Sequence, residues 1–175
     1  MSVRVWLAAG LIAACSCGAQ AGWCEETAAE LYARGAAAYD QQQWNEALRW
    51  WRKTIERDPT CAQAYVGLGD VFLREGRLTE AEAEFQTALR YDPRQVDALA
   101  NLGVVALQRG QHAVAVSYYR RALGVEPTDA SLWVDLGVSY GAAGDLEAAR
   151  TATLNALSFD PASDEARALL ARLDR

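Results

Sequence analysis

The stretch Ala64–Pro93, AYVGLGDVFLREGRLTEAEAEFQTALRYDP, reads as two helices and a stop. In its first half Tyr65, Leu68, Phe72 and Leu73 fall at intervals of three, four and one, the stripe of an amphipathic helix. Gly76 ends that helix, because a residue without Cβ enters the left-handed region at little cost. In the second half Leu78, Ala81, Phe85, Ala88 and Leu89 share one face. Thr79 is the expected N-cap of this helix, and Pro93 closes the unit, since proline cannot continue a helix. Small Gly69 and Ala81 are expected where the paired helices approach most closely, with aromatic side chains filling the space between units.

Outward from this stretch the same pattern recurs. All four prolines, Pro59, Pro93, Pro127 and Pro161, stand thirty-four residues apart without an insertion. Ala47, Ala81, Ala115 and Ala149 keep that period, as do Gly35, Gly69, Gly103 and Gly137, and Leu68, Leu102 and Leu136 precede three of those glycines. A single helical hairpin cannot bury both of its apolar faces, so the units must stack, and at least three are needed for stability.

These residues strongly resemble the tetratricopeptide repeat family, whose signature is a large apolar residue, Leu-Gly, an aromatic, Ala, an aromatic, Ala and Pro. The second unit supplies it as Tyr65, Leu68-Gly69, Phe72, Ala81, Phe85, Ala88 and Pro93. The third has Leu99, Leu102-Gly103, Ala106, Ala115, Tyr119, Ala122 and Pro127, and the fourth Trp133, Leu136-Gly137, Tyr140, Ala149, Thr153, Ala156 and Pro161. The first unit is loosest, with Arg34 where leucine is usual and Gln42 where later units have glycine. The resemblance implies an all-α, right-handed superhelical solenoid of antiparallel helix pairs: four units over 28–161 (28–61, 62–95, 96–129 and 130–163). A capping helix is expected over 162–175, where Ala166, Leu169, Leu170 and Leu173 face inward behind a Ser163 or Asp164 cap.

Composition narrows the function. Over 175 residues the net charge is −6 and a single lysine, Lys53, stands among the cations. That balance argues against nucleic acid, which needs clustered Lys and Arg, and against an anionic membrane surface. Chemistry is absent as well. One histidine, His112, lies at a turn into a second helix, and the bland reading of packing at a helical corner is preferred to catalysis or ligation. There is no histidine pair, CxxC motif or phosphate-cradling glycine loop, so no enzyme, metal or cofactor is expected.

Binding remains, and the family implies a concave groove lined by the first helix of each unit. By register the groove residues are Tyr32, Ala36, Tyr39 and Asp40 in the first unit, then Val66, Asp70, Leu73 and Arg74. Asp97, Asn101, Val104, Leu107 and Gln108 follow from the third unit, with Ser131, Val134, Asp135 and Val138 from the fourth. Part of this set is expected to pack between helices. The surface carries four aspartates and one arginine, which matches a peptide partner with aliphatic and basic residues. The carboxylate clamp of some family members is disfavoured, because of its polar anchors only Asn101 is present and the cations are missing. Trp50 and Trp51 occupy the place of Tyr118 and Tyr119, so one aromatic of each pair should fill the gap between units, leaving Trp50 the more exposed.

The N-terminus is different in kind. A cationic start, an apolar core from Val5 to Ala14 and a small-residue ending describe a secretory signal, and ten apolar residues are too few to span a bilayer. Two cuts compete. The run IAAC before Cys15 suits a lipoprotein box, giving a lipid-anchored protein facing the periplasm. The run AQA suits cleavage after Ala21, giving a signal peptide of 1–21, a lead-in segment of 22–27 and a periplasmic or secreted chain. The second cut leaves Cys24 and Cys61, an even count for an oxidising compartment. Each lies just before the first helix of its unit, so a Cys24–Cys61 disulfide is the expectation that goes with it. Exported members of the family serve envelope assembly, so the expected role is an adaptor, with a lipid-anchored accessory subunit or substrate-docking arm of an envelope assembly, secretion or enzyme complex as the alternative.

Overall fold

The computed structural model describes residues 26–174. The signal segment, the cut sites, Cys15 and Cys24 therefore lie outside the described residues. Among those described there are nine helices and no strand: α1 Ala28–Asp40, α2 Trp44–Arg57, α3 Ala62–Arg74, α4 Leu78–Tyr91, α5 Val96–Gln108, α6 His112–Leu123, α7 Ala130–Ala142, α8 Leu146–Phe159 and α9 Asp164–Leu173. Each helix packs against the next, and α3 also touches α1 and α5. The result is the solenoid of antiparallel pairs that the repeat implied, with α9 against both α7 and α8.

Two kinds of turn set the period. Within a pair, the chain closes with crossed backbone bonds. In the second unit Gly76 N–H donates to the Leu73 carbonyl at 3.0 Å and Arg77 N–H to the Phe72 carbonyl at 2.9 Å. This closure requires a left-handed residue, met by Gly76 at φ +73°. In the first unit it is met by Gln42 at φ +59°, the one non-glycine with positive φ among the described residues, at a cost on the order of 1 kcal/mol. Between pairs, Asp58, Asp92 and Asp160 each accept the backbone N–H two residues on, across the Asp-Pro step. That local bond explains why Asp precedes three of the four prolines.

The closure also corrects the expected cap. Helix α4 restarts at Leu78 directly after Arg77, which makes no side-chain cap, and Thr79 lies inside the first turn. Its hydroxyl instead accepts from Arg109 Nη2 at 3.3 Å, one unit further on. Ser163 does cap α9, accepting from Ala166 N–H. Helix α1 carries a full capping box, Thr27 with Glu30, which holds the Glu30 carboxyl below its usual range.

Packing between helices follows a single rule. One side chain from each second helix enters the space beside a small residue of its own first helix: Trp51 beside Gly35, Phe85 beside Gly69, Tyr119 beside Gly103. A Cβ at Gly69 would stand 2.5 Å from the Phe85 ring, and one at Gly103 would stand 2.6 Å from the Tyr119 ring. Nothing larger than hydrogen fits there, so the period-34 glycines are spacers for rings. Trp51 is 3% exposed and Phe85 and Tyr119 are 0% exposed. The fourth unit has Thr153 at this position, whose hydroxyl turns back to the Ala149 carbonyl. The missing ring is replaced from α9, whose Leu169 would lie 3.2 Å from a Cβ on Gly137. Thus α9 completes the fourth unit as well as ending the stack.

Candidate functional site

The first helices α1, α3 and α5 enclose a cavity of about 250 Å³. Eight of the residues assigned to the groove by register meet around it: Tyr32, Ala36, Tyr39 and Asp40 from α1, Val66 and Asp70 from α3, Asp97 and Asn101 from α5. Alternation explains the gathering. Residues three and four apart share one helix face, so Tyr32, Ala36, Tyr39 and Asp40 form one wall, Val66 and Asp70 another, Asp97 and Asn101 a third.

The remaining assignments fall elsewhere. Leu73, Val104 and Leu107 are half-buried and pack against the core. Gln108 is exposed at the end of α5 and lines no described cavity. Val134 is 8% exposed, in the cluster formed by α7, α8 and α9; the ninth helix buries a face that the register alone would leave open. Val138 borders a separate depression against Leu169 and Leu173 of α9. Val66 is 6% exposed, so it forms floor more than contact surface. Four further lining residues, Gln63, Gly67, Gln95 and Trp51, are not among the register assignments. The repeat register assigns Trp51 only to filling between units. It does both, lying between Gly35 and Gly67 while its ring forms the inner end of the cavity.

Aromatic rings make the apolar part of the wall. The Trp51 centroid lies 5.7 Å from Tyr39 and 6.5 Å from Tyr32. The guanidinium of Arg74 sits at the rim, 5.0 Å from the Tyr39 ring and 5.2 Å from the Trp44 ring, and donates to the Tyr39 hydroxyl. Carboxylates make the polar part. Asn101 Nδ2 donates to Asp70 Oδ1 at 2.6 Å. Burial, and then the neighbouring Asp97, push the Asp70 carboxyl up to about 7, against a lesser opposing pull from Arg74. Burial also raises the Tyr32 phenol, helped by Cys61, Asp97 and Asp70. Further along, burial lifts Asp135 to about 6.

Other candidates resolve into structure. Trp50, the more exposed of its pair, is clasped by the chain's own cations, with Arg34 at 4.8 Å and Lys53 at 4.6 Å from its ring. His112 opens α6 half-buried, and its Nδ1 has no partner. Cys61 lies at the start of α3, and no disulfide joins it to another described residue. Among the described residues no cluster of His, Cys, Asp or Glu could hold a metal ion, and no helix is long and apolar enough to cross a membrane. A wider hollow of about 540 Å³ opens between α6, α7 and α8, over Trp133, Leu136 and Tyr140.

Stacked helical pairs of this period, with a groove along the first helices, define a tetratricopeptide-type solenoid, a scaffold for protein–protein interaction. The chain belongs to the tetratricopeptide-like family described as the cilia and flagella-associated protein 70 middle TPR-like domain, which matches residues 20–157. Among solved structures, MamA 41-end from Desulfovibrio magneticus RS-1 superposes with a TM-score of 0.75 at 20% identity, covering 84% of this chain and 83% of that one. A structure titled as a functional characterisation of Pseudomonas aeruginosa PilF gives 0.78 at 21% identity, covering 83% of this chain and 67% of its own. At such identities the likeness is one of fold. No curated protein sequence matches the chain.

Proposed function

We propose that the chain is a non-enzymatic adaptor of the bacterial cell envelope that holds an extended segment of a partner protein in its concave groove. The observation that carries this reading is the cavity between α1, α3 and α5. It is built from side chains on rigid helices, and of its carboxylates only Asp70 is engaged by the fold, through the Asn101 amide. A cavity of about 250 Å³ suits one or two side chains of a strand-like segment better than a helix.

The test is a pull-down from envelope extracts with the wild type, with Asp40→Arg plus Asp97→Arg, and with Asp97→Arg alone. Asp97 is exposed, so its change leaves the fold intact, which circular dichroism will confirm. Partner recovery is expected to fall at least tenfold for the double variant and several-fold for Asp97→Arg. Unchanged recovery with both would sink the groove reading.

The envelope location rests on the N-terminal segment. With cleavage after Ala21, the proposed Cys24–Cys61 bridge would tie the lead-in to the start of α3 and reinforce the unit that carries Arg34 and Gln42. The intact mass of the mature chain is expected to match residues 22–175 and to rise by two hydrogens on reduction. A diacylglyceryl mass on Cys15 would instead support the lipid-anchored accessory subunit.

A further inference from the structure

We propose that the cavity between α1, α3 and α5 is a pocket for one arginine side chain of the bound segment, the guanidinium seated between Asp70 and Asp97 and the alkyl stem lying along Tyr32 and Tyr39. This rests on the groove reading and narrows it to one position and one side chain.

Three observations lead to it. The first is charge without a partner. Arg34, Arg49, Arg77, Arg109, Arg150 and Arg167 each pair with a carboxylate of the chain. Among the described residues, no such ion pair reaches Asp40, Asp70 or Asp97, although these three share one cavity. Asp70 is half-buried and receives only the neutral amide of Asn101. A carboxylate removed from water without an ion pair is costly, and the Asn101 amide that joins α5 to α3 through it does not neutralise its charge. A cation supplied by a ligand would relieve it.

The second observation is the aromatic wall. Tyr32, Tyr39 and Trp51 line the same cavity, and rings within about 6 Å of a cation attract it through their quadrupole. Arg74 already lies 5.0 Å from the Tyr39 ring, so this ring accepts a guanidinium. The third is the amides Gln63 and Gln95 at the border, suited to the backbone of an extended segment. An anionic ligand finds only Arg74 and meets three carboxylates. Arginine is preferred to lysine because a planar fork of five N–H groups can engage two carboxylates while its face lies on a ring.

The probe is a fluorescein-labelled nonapeptide of serine, alanine and leucine with one central arginine. Its twins carry citrulline, the neutral isostere, or glutamate at that place. Fluorescence anisotropy at pH 8 should give an arginine peptide bound at least tenfold more tightly than the citrulline peptide, with the glutamate peptide weakest. Asp70→Asn plus Asp97→Asn, both isosteric, should erase the arginine preference. Affinity for the arginine peptide should also rise from pH 5.5 to pH 8, as Asp70 gives up its proton to the ligand's field. Equal binding of arginine and citrulline, a preference that survives in the double variant, or no saturable binding of the arginine peptide would each overturn the pocket. Should both peptides bind equally and both be lost with Asp40→Arg plus Asp97→Arg, the groove stands and the arginine pocket falls.

Discussion

Phe85→Ala should lower the unfolding free energy by about 3 to 5 kcal/mol, the range for deleting a fully buried aromatic ring. Phe85 is 0% exposed and faces a glycine at which no Cβ can be placed. The space it leaves is therefore bounded by helix backbone, which cannot collapse inward without moving α3 against α4. Phe85→Leu keeps most of the volume and should cost roughly 1 kcal/mol. Urea unfolding followed by circular dichroism measures both. A double-mutant cycle sharpens the claim. Gly69→Ala alone drives a methyl to 2.5 Å from the ring and should destabilise the chain. In the Phe85→Ala background the same methyl enters the vacated space and should be neutral or stabilising, a favourable coupling between the two sites. In a stack where each unit rests on its neighbours, loss of the second unit's filling should also broaden the transition. A loss below 1 kcal/mol for Phe85→Ala, or additive effects in the cycle, would refute the ring-and-spacer account of the repeat.

The fold was legible because this kind of solenoid writes every contact into a fixed register. A ring at Trp51, Phe85 or Tyr119, a glycine eight residues into each first helix and a proline at each end are local signals, and each determines its partner by period alone. Departures from the register could also be seen, but not their remedy. Thr153 stands where a ring is due, and only the packed chain shows Leu169 entering from α9 to replace it. Thr79 looked like a cap because nothing in the sequence reveals that the turn after Gly76 closes early enough to start the helix at Leu78.

The site was half legible for a related reason. Register tells which residues face the concave side, and it picked out Tyr32, Tyr39, Asp70, Asp97 and Asn101. It does not tell how closely neighbouring first helices approach. That distance depends on what fills the gap between them, Trp51 against Gly35 and Gly67 at one end, Leu169 against Gly137 at the other. A wide indole between two glycines leaves a cavity above it. The ninth helix instead covers Val134 and draws Val138 away from the groove. The same consideration turned Trp51 from filler alone into filler and wall.

Asp70→Asn should stabilise the chain at pH 8 and leave it nearly unchanged at pH 4. Asp70 is pushed from 3.8 to about 7 by burial and by Asp97 across the cavity, with Arg74 opposing. Tyr32, Asp40 and the Asn101 amide complete its surroundings. Because the folded value lies above the unfolded one, the folded chain holds a proton that the unfolded chain has released throughout the window between them. Unfolding stability must then fall as pH rises from about 3.8 to about 7 and level off above it. Three pH units at about 1.4 kcal/mol each set a ceiling near 4 kcal/mol, and water entering the open cavity reduces this to about 2 kcal/mol. For a chain of this size that is roughly 4 to 8 °C in Tm. Asparagine has the shape of the carboxyl, keeps an oxygen for the Asn101 amide and has no charge to desolvate, so it removes this component of the slope. Asp135, lifted to about 6 by burial, keeps its own shallower share in both proteins. Thermal melts of wild type and Asp70→Asn at pH 4, 5, 6, 7 and 8 should therefore diverge progressively and run parallel beyond pH 7. Curves that run parallel throughout, or an Asp70→Asn chain less stable at pH 8, would mean that Asp70 is charged and already compensated in the free protein. The arginine pocket would then lose its reason to exist.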